Sequence, residues 1–161
     1  MSTTIIKFRD RAFWVPRSAV EVWLQLLLHR LGERSDLPDW MQDYRQQLAS
    51  ALKTPCFEYL VPELGDLAND EQRKALLLNL FDEVIALASR PAGVIPKEEL
   101  NTLLGESHAD RYRKDVPTKI PIIVGRAFSG LLRGTFGDPV KTARTLDVTG
   151  NPRGDLTMRP R

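Results

Sequence analysis

Cysteine and histidine are scarce. Among 161 residues, Cys56 is the one cysteine and His29 and His108 are the two histidines. An internal disulfide, a multi-cysteine zinc site and a poly-histidine metal site are therefore excluded. Long hydrophobic runs are missing as well: no stretch of about 18 uncharged apolar residues occurs, so no segment reads as a transmembrane helix. The N-terminus reaches Lys7, Arg9, Asp10 and Arg11 after a short apolar stretch, unlike a secretory leader. A glycine-rich phosphate loop is also absent, because Gly125, Gly130 and Gly134 lie within or at the end of an apolar helical stretch and have no lysine partner. These absences lead to the expectation of a soluble, cytoplasmic protein with no cofactor and no metal.

What is present is an ordinary globular composition, 42% hydrophobic and 27% charged. That length and composition suit one domain with a core large enough to need no covalent staple. The net charge of +2 conceals a strong segregation. Residues 1–32 carry five basic and two acidic side chains, whereas residues 33–71 carry three basic and nine acidic. Residues 72–105 are balanced at four each, residues 106–134 hold six basic against three acidic, and residues 135–161 hold five against three. Segregated charge creates local fields even when the total is small. It serves either as a plain solvated coat or as an acidic face for a basic partner.

The apolar pattern predicts a mainly α protein of about five helices, with a short N-terminal strand and a C-terminal β-hairpin. Thr3-Thr4-Ile5-Ile6-Lys7-Phe8 is β-branched and aromatic, as a strand requires. Residues 18–31 are apolar on nearly every side, broken only by the stripe Glu21, Gln25, His29, so this helix is expected to be central and buried. Ser18 and Glu21 have capping-box spacing at its start, and Gly32 offers a left-handed stop. A second, amphipathic helix carries Leu37, Trp40, Met41, Tyr44, Leu48 and Leu52 on its inner face and places Asp36, Asp39 and Asp43 along one side. Pro55 and Pro62 forbid a helix through residues 53–67, which reads as an extended crossing. Asn69 and Gln72 suggest a second capping box, opening a helix to about Ser89. Pro96 opens a short fourth helix, residues 106–119 read as a polar loop or helix fragment, and residues 121–132 form a fifth helix ending near Gly134. Gly125 and Ser129 lie one turn apart there, which would allow a close approach to another helix. Residues 1–134 thus read as one helical domain and residues 135–161 as an extension. In the extension, pairing Val148 with Leu156 and Leu146 with Met158 puts both apolar pairs on one face, the condition for a half-buried hairpin. Its apolar face would cover the body or, in a homodimer, a second chain.

Chemistry is sparse. Cys56, between Pro55 and Phe57, reads as a buried small hydrophobe rather than a thiolate. His108 and Asp110 could orient an imidazole, although neighbours in a loop show this spacing by chance. Glu21 and His29 stand two turns apart, about 11 Å, too far for one ion. Asp36, Asp39 and Asp43 lack the glycine turn of a calcium loop. Trp14, Trp23 and Trp40 with Phe13 and Phe81 are most simply core. The chain is therefore not expected to be an enzyme. Arg144, Arg153, Arg159 and Arg161 raise a nucleic-acid-associated adaptor or scaffold as an alternative, but Asp138, Asp147 and Asp155 are interspersed and no stacking aromatic accompanies them.

The layout of residues 1–105 resembles bacterial immunity proteins of the polymorphic-toxin or contact-dependent inhibition type. The resemblance is carried by Phe13-Trp14-Val15-Pro16 before Val20-Glu21-Val22-Trp23-Leu24, by Leu37-Pro38-Asp39-Trp40-Met41, by Leu76-Leu77-Leu78-Asn79-Leu80 and by Ile95-Pro96-Lys97-Glu98-Glu99-Leu100-Asn101. It is a similarity of arrangement without a diagnostic motif, and it stops before the tail. It implies a small, cytoplasmic, non-catalytic inhibitor that binds one cognate toxin domain. A basic toxin would suit the acidic stretch, which makes Asp36, Asp39, Asp43, Glu63, Asp66 and Asp70 the candidate contact residues. Residues 106–134 and the tail are the next candidates, with neither nucleic acid nor membrane expected as partner.

Overall fold

The alternation of β-branched and aromatic residues at the N-terminus produces a hairpin. A computed structural model describes residues 2–53, 64–104, 111–149 and 154–160. Strands β1 (Thr3–Phe8) and β2 (Arg11–Pro16) pair antiparallel, from Thr3 opposite Pro16 to Phe8 opposite Arg11. The turn between them holds Arg9 at φ 57°, in the left-handed region. β1 lies where the sequence predicts a strand; β2 is a strand that its composition did not reveal.

Six α-helices follow among the described residues: α1 (Arg17–Glu33), α2 (Asp39–Lys53), α3 (Leu64–Leu67), α4 (Glu71–Ala88), α5 (Lys97–Leu104) and α6 (Lys119–Arg133). As its apolar girth predicts, α1 is central and packs against α2, α4, α5 and α6. Trp23, Leu24, Leu27 and Leu31 are fully buried. The polar stripe needs correction. His29 is exposed and Glu21 partly exposed, but Gln25 is only 3% exposed and its Nε2 finds no hydrogen-bond partner, while Leu28 and Arg30 share the accessible side.

Helix ends also differ from expectation. Pro16, not Ser18, precedes α1 and no side chain caps it; Glu21 is instead drawn into ion pairs with Arg17 and Arg111. Gly32 stays inside the helix, which stops at Arg34 in extended backbone. The cap of α4 is Asp70 rather than Asn69, accepting the Arg73 backbone N–H at 2.8 Å. A carboxylate at that site is the stronger partner for the positive helix end. Gly134, at φ 76°, ends α6 in the left-handed region, at the place where that helix was expected to end. Trp23, Phe13 and Phe81 are core as expected, whereas Trp14 and Trp40 are only partly buried.

The closest helix contact is at Gly125. A Cβ there would sit 2.5 Å from Trp23 Cζ3 and 2.9 Å from Ile85 Cγ1, so only glycine admits the indole between α1, α4 and α6. Ring contacts extend the packing: Trp23 lies edge-on 5.7 Å from Phe81 and tilted 5.9 Å from Phe128, and Phe13 of β2 lies edge-on 6.1 Å from Phe128.

The tail returns to the N-terminal hairpin. β5 (Asp138–Pro139) pairs antiparallel with the start of β2, and β6 (Thr145–Leu146) pairs parallel with it at Trp14, whose N–H donates to the Arg144 carbonyl at 2.9 Å. β7 (Met158–Arg159) closes the sheet against β6, with Leu146 opposite Met158. This is the register read from the alternation, and Asp147 N–H donating to the Thr157 carbonyl extends it. Leu146 and Val148 are buried. The result is a five-stranded mixed sheet beside the helices, larger than a lone strand and a hairpin. A separate two-stranded ribbon joins β3 (Val94–Ile95) to β4 (Val116–Pro117), of which β4 lies in the stretch expected to be a loop or helix fragment. The extended crossing expected over residues 53–67 is corrected at its ends, where Lys53 closes α2 and Leu64–Leu67 form α3; residues 54–63, with Cys56, and 105–110 lie outside the described residues.

Two outcomes check this packing. Gly125→Val must push apart Trp23 and Ile85, and is expected to destabilise the fold by about 3 kcal/mol, read as a lower midpoint in urea. Asp138 accepts the backbone N–H and the guanidinium of Arg144 at 2.9–3.1 Å, and these bonds hold its carboxyl below the usual carboxylate range. Because the folded pKa is the lower one, this stabilisation is present above the ordinary carboxylate pKa and is lost as pH falls through the folded value. Arg144 is half exposed, so Asp138→Asn should cost no more than about 1 kcal/mol near neutrality, with the gap to wild type closing in acid.

Candidate functional site

Two surfaces stand out, one acidic and foreseen, the other an apolar groove that was not. The acidic residues do not form a single row. Asp36 precedes α2 and is hydrogen-bonded to the Arg34 guanidinium at 3.3 Å, which holds its carboxyl below the ordinary range. Arg34 also reaches Glu83 at 3.6 Å, and Arg30 meets the same carboxylate at 3.0 Å, so Asp36 belongs to a paired network spanning α1 and α4. Asp39 and Asp43 stand exposed on α2, one turn apart. Asp66 is exposed on α3, and Asp70 is exposed while capping α4. The Arg73 guanidinium lies over the Trp40 ring at 5.0 Å, which brings the first turn of α2 to the first turn of α4. Asp39 and Asp70 flank that contact in sequence. Glu63 lies outside the described residues, as do His108 and Asp110.

The two tail arginines among the described residues are occupied. Arg144 pairs with Asp138, and Arg159 pairs with Asp147 at 3.0 Å and donates to the Thr149 hydroxyl. Arg153 and Arg161 lie outside the described residues. No group of three or more metal-ligating side chains occurs among the described residues, and none of their helices is long and apolar enough to cross a membrane.

The groove is built from three distant segments. One wall is the start of α1, with Ser18, Ala19 and Val22; the second is residues 111–120; the third is Val148 and Thr149. Its volume is about 650 Å³, within the range of small-molecule sites. The second wall is firmly tied down. Asn101 of α5 clamps Tyr112, its Oδ1 accepting the backbone N–H at 2.8 Å and its Nδ2 donating to the carbonyl at 2.9 Å. Asp115 Oδ1 accepts the Lys97 N–H at the start of α5, Val116 and Pro117 pair with β3, and Thr118 N–H donates to the Gly93 carbonyl. Arg111 donates to Glu21 at 2.7 Å, fixing the wall to α1 across a carboxylate that is only 13% exposed. Burial and the nearby Glu21 charge push the Tyr112 phenol up to about 12, so it is a neutral hydroxyl at any working pH. Lys119 Nζ donates to the Thr149 carbonyl at 2.8 Å and joins the second and third walls.

Sequence reasoning missed this groove because each wall looks ordinary by itself. The signals available were the basic balance of residues 106–134 and the isolated apolar pair Val116-Pro117 within a polar stretch. Compared with known proteins, the chain matches no family model, and no curated protein or solved structure is significantly similar to it.

The Asn101 clamp makes a direct test of how the second wall is held. Asn101→Ala removes partners from both the N–H and the carbonyl of Tyr112. It should lower stability by about 1–3 kcal/mol and speed amide exchange at Tyr112; unchanged exchange would show that the wall is held elsewhere.

Proposed function

We propose that this chain is a non-catalytic protein-binding inhibitor, of the immunity-protein kind, that neutralises a basic cognate toxin domain through its acidic surface. The observation that carries the proposal is the junction of α2 with α4 at Trp40 and Arg73, together with the exposure of Asp39, Asp43, Asp66 and Asp70 on α2, on α3 and at the start of α4. Exposed carboxylates on rigid helix starts keep their positions without reorganising, which suits them to attract and orient a basic partner. Trp40, partly buried and already stacked, is the natural anchor beside them. Asp36 takes a smaller share because its charge is already compensated by Arg34. The same acids also favour the positive ends of their own helices, and that role alone would leave binding untouched.

Reversal of two exposed charges separates these roles. Asp39→Lys with Asp43→Lys should slow association with the cognate basic partner at least about tenfold at low salt, because steering dominates the encounter rate. The difference should shrink as salt shortens the screening length to about 8 Å. Stability should move by a few tenths of a kcal/mol, since Asp39 leaves the first turn of its helix. Equal association rates at both salt concentrations would remove the acidic surface from the mechanism.

A further inference from the structure

We propose that the groove between α1, residues 111–120 and Val148–Thr149 is a binding site for a small amphipathic anion, an apolar chain or ring ending in one anionic group. This site is separate from the acidic surface and does not depend on the inhibitor reading.

The groove's interior is hydrocarbon. Ala19, Val22, Val116, Pro117, Ile120 and Val148 supply it, and the volume of about 650 Å³ accommodates a medium-length chain. The charge on its lining is net positive, with Arg111, Arg113 and Lys114 against Asp115. Arg113 and Lys114 stand exposed at its edge, and neither has an ion pair among the described residues. Among the described residues, each neighbouring carboxylate has a partner, and Asp115 keeps its charge. Glu21 is held between Arg17 and Arg111, and Asp115 accepts the Lys97 N–H at a helix start. An apolar body in the groove would therefore leave its head beside Arg113 and Lys114, which outweigh Asp115, so a negative group is favoured over a positive one.

An extended peptide fits less well. A peptide laid along this wall would need backbone partners, yet Pro117 has no N–H and the Thr118 N–H is already given to the Gly93 carbonyl. The wall is also rigid, clamped by Asn101, Asp115 and the β3–β4 pairing, so little ordering accompanies occupancy.

The test is calorimetric titration of the full chain with decanoate, decanol and decyltrimethylammonium, each kept monomeric. Decanoate is expected to bind saturably at one site, more tightly than decanol, with the cation weakest. Arg113→Glu with Lys114→Glu should weaken decanoate about tenfold and leave decanol unchanged. Ser18→Trp, at an exposed position on the groove's edge, should abolish binding of all three without altering the far-UV spectrum. Absence of saturable decanoate binding, equal affinity for the three head groups, or decanoate binding that survives Ser18→Trp would overturn the proposal. So would tight binding to anionic phospholipid vesicles with none to monomeric decanoate, which would make the basic edge a membrane contact.

Discussion

The indole of Trp23 pressed against the bare backbone of Gly125 is the contact on which the rest of the molecule depends. It sets how closely α1 and α6 approach, and Ile85 and Phe81 bring α4 to the same point. Phe128 then passes the packing to Phe13, and through Phe13 to the sheet. Helices and strands are therefore locked to a common centre. Interiors at crystal-like density transmit displacement, so a shift at Gly125 would be felt by β2 and by the tail strands paired to it.

That rigidity fixes what the surface can offer. The first turns of α2 and α4 meet because their helices are held against α1 or α6, and the acidic side chains around Trp40 and Arg73 inherit a defined geometry. The groove owes its shape to the same frame: α1 gives one wall, while residues 111–120 are tied to α5 and β3 by Asn101, Asp115 and strand pairing. The acidic surface suits a large basic partner approaching through solvent. The groove, apolar inside with Arg113 and Lys114 at its edge, suits a small ligand of opposite character.

Much of this order is visible in the residues, where local periodicity meets burial. The apolar girth of residues 18–31 marks a central helix, the Gly125–Ser129 spacing marks a close approach, and the alternation around Leu146 and Met158 sets a register that the paired strands keep. What escapes has physical causes. Ala12 and Phe13 are both fully buried, so β2 loses the alternation that identifies a strand. Gln25 belongs to a polar stripe in sequence but is covered, a tertiary effect that no local pattern encodes. Ser18 and Asn69 have sound capping chemistry, yet each is displaced by a residue one or two positions away. Of the acidic candidates, the sequence identifies the exposed aspartates but not the pairing of Asp36 with Arg34. The groove is assembled from segments about a hundred residues apart, beyond the reach of any window along the chain.

On the proposed function, the acidic junction of α2 and α4 is the face that meets a partner protein. Amide hydrogen exchange tests it most directly, comparing the chain alone with its complex with a basic toxin domain captured on it from its native host. Protection concentrated in residues 39–46 and 66–75, with residues 111–120 unchanged, is the predicted footprint. Protection confined to residues 111–120 and 145–149, with the first turns of α2 and α4 exchanging as in the free chain, would contradict it.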